Sequence, residues 1–222
     1  MIDWLLKLRK KEKLWRNFCA VVFWGSIWGI VEATLGYLLH RMNLSVGFLI
    51  WFPLAFYFLN KIYKKTGEAW CVLYGGLVAA AIKLTDLFIE PNVIKVVNPS
   101  ASIIFEAASL LALYKIMERR NKKAGILGIA GVNVAWRAIF LTYVFLFMPR
   151  AVIATSQLRA LNPFLQFMIL ESAANTIIIE VYLIATERFS KKQVEGKQGS
   201  IGIKIALSLA MFLFAIMINR CL

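Results

Sequence analysis

This chain has almost no histidine, few cysteines and few acids. His40 is its one histidine, and its three cysteines, Cys19, Cys71 and Cys221, form no CxxC pair. That excludes a thiolate zinc site and leaves no disulfide framework to staple a fold. No HExxH, G-x-S-x-G or G-x-x-x-x-G-K-[ST] run occurs. The chain therefore does not bind ATP through a P-loop, and it shows no ordered nucleophile and base. The expectation is a protein that is not an enzyme and holds no metal or cofactor. A cleavable leader is not expected, because the first apolar stretch is too long and lacks an A-x-A end. Acidic residues number 12 against 26 Lys and Arg, a formal net charge of +14. In a soluble protein that excess would suggest nucleic acid. Here the basic residues fall in short segments between apolar runs, which points to membrane topology and anionic lipid instead.

Apolar residues are abundant. The 222 residues are 60% hydrophobic, and the mean hydropathy is +0.70. Soluble domains carry less apolar sequence and more charge. Because an open sheet cannot satisfy its edges in lipid, the expected fold is an all-α integral membrane protein. Seven apolar spans are read at 18–40, 44–60, 70–90, 99–117, 124–147, 163–186 and 201–219, each near the roughly 20 residues that a bilayer needs. The domain reading has four parts. Residues 1–17 form a basic amphipathic segment and 18–186 a six-helix core. Residues 187–200 form a Gly-, Ser-, Lys- and Gln-rich cytoplasmic linker, and 201–222 an additional peripheral helix. Residues 1–17 suit a helix on the membrane surface, or a docking segment for a cytoplasmic partner. Eighteen Lys and Arg fall on the side of the N-terminus and five on the other side. The positive-inside rule thus places the N-terminus in the cytoplasm.

Charge inside the spans is the informative feature. Span 1 carries Glu32 on the same helical side as Gly25, Trp28, Gly29, Ala33 and Gly36, with His40 near its end. Small residues four apart admit another helix backbone, so Glu32 is expected to face protein rather than lipid. Span 3 carries Lys83 and Asp86, span 4 Glu106 beside Ser102 and Ser109, span 5 Asn133 and Arg137, and span 6 Glu171 and Asn175. Each set keeps helical spacing, and the sets lie at similar depth, biased outward with Asn133 and Arg137 near the middle of their span, so the stripes can converge in one interior. Glu180 falls on the opposite side of span 6 from Glu171. Ionisable groups within a membrane mark functional sites by default. Glu32, Asp86, Glu106 and Glu171 outnumber Lys83 and Arg137, so the cluster is either a hydrated binding cavity or a set of structural ion pairs. The candidate substrate-binding residues are Trp28, Glu32, Lys83, Asp86, Glu106, Arg137, Glu171 and Asn175. Trp28 and Trp136 are candidates to stack on a flat ligand. Asn98-Pro99 and Asn162-Pro163 read as helix starts facing outward, and the mildly apolar loop 149–162 reads as a lid.

The basic N-terminus, the six-helix core, Gly25, Gly29 and Ala33 with Glu32, and the Asn98-Pro99…Glu106 segment together resemble the substrate-binding integral subunits, or S components, of energy-coupling factor vitamin transporters. The resemblance covers residues 15–190. It implies a small-molecule ligand near the outer face, a separate transmembrane coupling protein and separate cytoplasmic ATPases, in the cell membrane of a prokaryote. In that family alanines at four-residue spacing in the first helix contact the coupling protein. Gly25, Gly29 and Ala33 hold those positions here, with glycine in place of alanine twice, and the seventh span is an addition. Two further readings stand beside this one. One is a self-sufficient transporter, proton-coupled through Glu32 or Glu106. The other is a membrane scaffold or assembly protein with a dry, paired charge cluster.

Overall fold

The computed structural model describes residues 2–41, 47–190, 208–209 and 211–212, with side chains for 9–35, 50–187 and those last four. The described residues form helices and no strand. α1 (Ile2–Arg41) is one 40-residue helix, so the basic N-terminal segment runs into the first span without a break. At 1.5 Å per residue it is about 60 Å long, twice the hydrocarbon thickness. α2 (Gly47–Thr66) carries Pro53 within it and ends in a turn where Gly67 takes φ +68. α3 (Ala69–Leu84) starts at once, and its first N–H, from Ala69, donates to Glu118 Oε1 at 2.8 Å. A carboxylate from another helix thus caps an N-terminus that its own sequence leaves open. A 3₁₀ turn (Thr85–Phe88) follows.

α4 (Val93–Arg120) is capped by Asn92, whose side chain accepts from the Ile94 N–H at 3.1 Å, and it closes on Asn121 in the left-handed conformation. α5 (Ile126–Phe147) leads to a short α6 (Arg150–Thr155) and a 3₁₀ turn (Gln157–Arg159). α7 (Leu161–Leu165) passes through a π-helical turn (Gln166–Leu170) directly into α8 (Glu171–Ser190).

Five segments are long and apolar enough to cross a bilayer: Arg9–Leu35, Ala69–Phe88, Val93–Arg120, Ile126–Phe147 and Leu161–Glu187. Large apolar side chains such as Leu127, Phe145, Leu170 and Val181 point out of the bundle, as lipid-facing residues do. Trp28, Phe52, Leu59, Ile62 and Ile103 fill the interior.

α3 is the central helix, packed on α1, α2 and α4. A Cβ on Gly25 would lie 2.8 Å from the Gly75 carbonyl, and one on Gly29 would lie 2.7 Å from Ile82 Cδ1. On α3 itself, a Cβ on Gly76 would strike Ala107 of α4. The small residues of α1 therefore receive α3 of the same chain, and the stripe expected to meet a separate coupling protein is filled internally. Ala33, at the end of that stripe, is buried.

The expected linker beyond Ser190 and most of the seventh span lie outside the described residues. Of that span, Ser208 donates from Oγ to the Cys19 carbonyl of α1 at 3.0 Å.

Candidate functional site

The C-terminal halves of α1, α3 and α5 and the N-terminal halves of α2, α4 and α8 surround a cavity of about 1000 Å³. This alternation follows from connecting neighbouring helices by short turns, which makes successive helices antiparallel. The volume is at the upper end of small-molecule sites. Glu32, Lys83, Asp86, Glu106, Arg137, Glu171 and Asn175 all line it. Trp28 does not. It is fully buried one turn before Glu32 and belongs to the packed core. Ala33 forms part of the wall, and Glu180 lies away from it.

Two charge pairs and one held arginine organise the site. Lys83 Nζ and Asp86 Oδ2 are 2.7 Å apart, with side chains each 19% exposed. Arg137 is 1% exposed and is held from three sides. Its Nη1 donates to the Asn133 carbonyl and to Asn133 Oδ1, each at 3.1 Å. Its guanidinium lies 4.5 Å from the ring centre of Trp136 and 5.2 Å from that of Phe167, where the ring faces favour the cation. Its Nη2 is 4.0 Å from Glu171 Oε2. Asn133 is fixed in turn, because its Nδ2 donates to the Ile129 carbonyl at 3.1 Å and to Thr176 Oγ1 at 3.2 Å. The arginine is thus set in place before anything enters the cavity.

The opposite wall is acidic. Glu106 is 4% exposed and accepts from Ser102 Oγ at 3.2 Å. Glu32 lies within electrostatic reach of Lys83 and of Glu106. Neither Glu32 nor Glu106 has a cation within 4.0 Å among the described residues. Asn175 is fully buried, and among the described residues both its Oδ1 and its Nδ2 lack a hydrogen-bond partner. A buried carboxamide without partners is costly, and this one borders the cavity.

Sequence reasoning did not assign several wall residues. Trp51, Phe52, Phe140 and Phe167 add an aromatic lining, with Phe52 stacked on Trp136 at 5.6 Å and 18°. Phe167, Glu171 and Asn175 repeat every four residues, a spacing that could have added Phe167. Glu90 and Lys95 come from the approach to α4 and its first turn, and Gln157 comes from the segment expected to act as a lid.

The helix starts differ from expectation. α4 begins at Val93, six residues before Pro99, so Asn98-Pro99 lies inside the helix. Pro99 has no N–H to offer the Lys95 carbonyl one turn earlier, and Asn98 Oδ1 accepts from Tyr143 OH at 3.2 Å instead of capping. α7 begins at Leu161 after an uncapped Ala160, which puts Asn162-Pro163 in its first turn. Asn92 was the better signal for α4, because its side chain can close on the N–H two residues ahead.

Among the described residues no three His, Cys, Asp or Glu side chains gather as a metal cluster would require. The arrangement can bind a small solute through charge, aromatic faces and one free carboxamide. No family model, curated protein or solved structure matches the chain.

Proposed function

We propose that this chain is the small-molecule-binding membrane subunit of a multi-chain, ATP-driven importer in a cell membrane of prokaryotic type. The observation that carries the reading is the cavity itself. Six helices surround about 1000 Å³ with charged, aromatic and unsatisfied polar side chains, where a scaffold protein would have a dry, fully paired interior. In this reading the N-terminus is cytoplasmic, six helices form the core, the seventh is peripheral, and the cavity opens outward. Energy comes from separate ATPase chains, since this chain has no P-loop. The exposed Lys10, Lys11 and Arg16 on α1 suit anionic lipid at the cytoplasmic face. A coupling protein meets a surface other than the Gly25–Gly29 stripe, which α3 already occupies.

The test is a mild-detergent pull-down of the tagged chain from its native host, followed by mass spectrometry. Recovery of an ATPase pair and a second membrane protein in stoichiometric amounts is the expected result. A second reading, a self-sufficient proton-coupled transporter, draws on Glu32 and Glu106, which lack cation partners in the cavity wall. Recovery of the chain alone, with solute uptake into liposomes that contain only this chain, would establish that second reading instead.

A further inference from the structure

The charges of the cavity are not equally available to a ligand. Lys83 is held by Asp86 at 2.7 Å. Arg137 spends Nη1 on Asn133, faces Glu171 at 4.0 Å and is covered by two aromatic rings. Lys83 is therefore engaged, while Arg137 keeps a buried Nε without a hydrogen-bond partner among the described residues. Glu106 holds one hydroxyl donor, from Ser102, and neither it nor Glu32 has a cation within 4.0 Å among the described residues. The wall sets Glu32, Asp86, Glu90, Glu106 and Glu171 against Lys83, Lys95 and Arg137, so its balance is acidic. An incoming carboxylate or phosphate would find only the buried Nε of Arg137, whose guanidinium is flanked by two aromatic rings, and the exposed Lys95 of the wall, and would otherwise have to break the Lys83–Asp86 pair. It would also be repelled by Glu32 and Glu106, which have no cation within 4.0 Å among the described residues. An incoming cation would do neither.

Asn175 adds a second constraint. Its buried Oδ1 and Nδ2 both lack partners among the described residues, so it needs a ligand edge with an N–H donor and an acceptor side by side. The aromatic lining adds a third, because flat ring faces favour a planar guest and a delocalised positive charge.

We infer that the cavity selects a planar, nitrogen-rich organic cation of the amidine or amino-heterocycle class, with N–H groups donating to Glu32 and Glu106 and a ring edge paired with Asn175. This rests on the solute-binding reading above. It adds the sign of the ligand's charge and the chemistry of its edge.

Three probes of one shape and three charges test it: benzamidine, benzamide and benzoate. Thermal protection and calorimetric titration of the detergent-purified full chain read the response. Benzamidine is expected to bind at least about tenfold more tightly than benzamide, the scale of one charge-assisted hydrogen bond, and benzoate to give no response. Glu106→Gln and Glu32→Gln, which keep shape and remove charge, are each expected to bring benzamidine down to the level of benzamide. Because both are isosteric, a fold defect in one leaves the other to decide. Responses led by benzoate or benzamide overturn the cation assignment and leave a solute-binding cavity standing. Silence from all three probes overturns the assignment and counts against the solute-binding reading as well.

Discussion

Two buried polar clusters occupy opposite halves of the same bundle, and they are built on opposite terms. In one half Tyr114 of α4 donates to Asn60 Oδ1 of α2 at 3.1 Å, and Asn60 Nδ2 reaches the Tyr182 oxygen of α8 at 3.5 Å. Tyr63 stacks on Tyr114 at 4.0 Å. This cluster carries no formal charge, sits among packed aromatics and closes on itself. In the other half α1 to α5, α8 and the segment between α3 and α4 bring five carboxylates and three cations around open space, with Asn175 unpaired among the described residues. A closed network specifies which helices meet. An open one, with its strongest donors fixed and its acceptors free, is prepared for a guest. The same helices α2, α4 and α8 supply both, so the contrast reflects the residues placed at each depth and not the scaffold.

The most severe way to break the contrast is Arg137→Ala. The substitution strips Glu171 of its nearest cation, leaves Asn133 Oδ1 without its donor and empties the space between Trp136 and Phe167. Removing one partner from a buried charge cluster typically costs about 3–5 kcal/mol. The expected outcome is a large fall in thermal midpoint in detergent, measured by circular dichroism, together with loss of benzamidine binding. If the fall is as small as that of a surface variant, Arg137 is not the element on which the open cluster is built.

Gly29→Leu tests whether the two halves share one frame. A side chain there must displace Ile82, next to Lys83, and overpacking of this kind costs about 1–3 kcal/mol. Moving α1 away from α3 also separates Glu32 from Lys83. Stability and benzamidine affinity should fall together. Retained affinity would mean that the α1–α3 contact does not set the cavity.

Tyr114→Phe removes only the hydroxyl from the closed cluster and keeps the stacked ring. It leaves Asn60 Oδ1 without its donor, at a cost of about 1–3 kcal/mol. Thermal stability should drop while the response to benzamidine stays that of the wild type. A change in ligand binding would show that the two clusters are coupled.

The open cluster was legible in the sequence because lipid leaves charged side chains few places to point. Glu32, Lys83, Glu106, Arg137 and Glu171 each interrupt an apolar helix, and helical spacing then assigns their faces. Trp28 was misplaced because a large ring one turn from a carboxylate looks the same in sequence whether it lines a cavity or fills the core. The partner of the Gly25–Gly29 stripe was hidden for a related reason: small residues encode close approach but not which helix approaches. Gly75 and Gly76 in α3 were the complementary signal. The start of α4 was misread at Asn98-Pro99, since proline is tolerated near a helix start and the true cap, Asn92, stands six residues earlier. The closed cluster left no trace that stood out, because tyrosines in an apolar helix look like interfacial residues until Asn60 is seen beside them.

Asn175→Leu separates the clusters with the smallest change in stability and the clearest change in sign. In the closed half Asn60 Oδ1 and Nδ2 both have partners, so deleting one should destabilise. Asn175 has none to lose among the described residues: its Oδ1 and Nδ2 are buried and unpaired in a wall that also contains Phe167 and Trp136. Leucine keeps the γ-branched shape, is larger, and carries no polar desolvation cost. The unliganded protein should therefore be as stable as the wild type, or more stable by up to about 1–3 kcal/mol, the cost of an unsatisfied buried polar group. Benzamide, whose carboxamide carries an N–H donor beside an acceptor, should bind about tenfold more weakly, the scale of one lost hydrogen bond to a ligand. Stability measured without ligand and affinity measured with it must then move in opposite directions in this single variant. A destabilised variant that binds normally would place Asn175 with Asn60 as a structural residue, and the carboxamide edge would drop out of the recognition scheme.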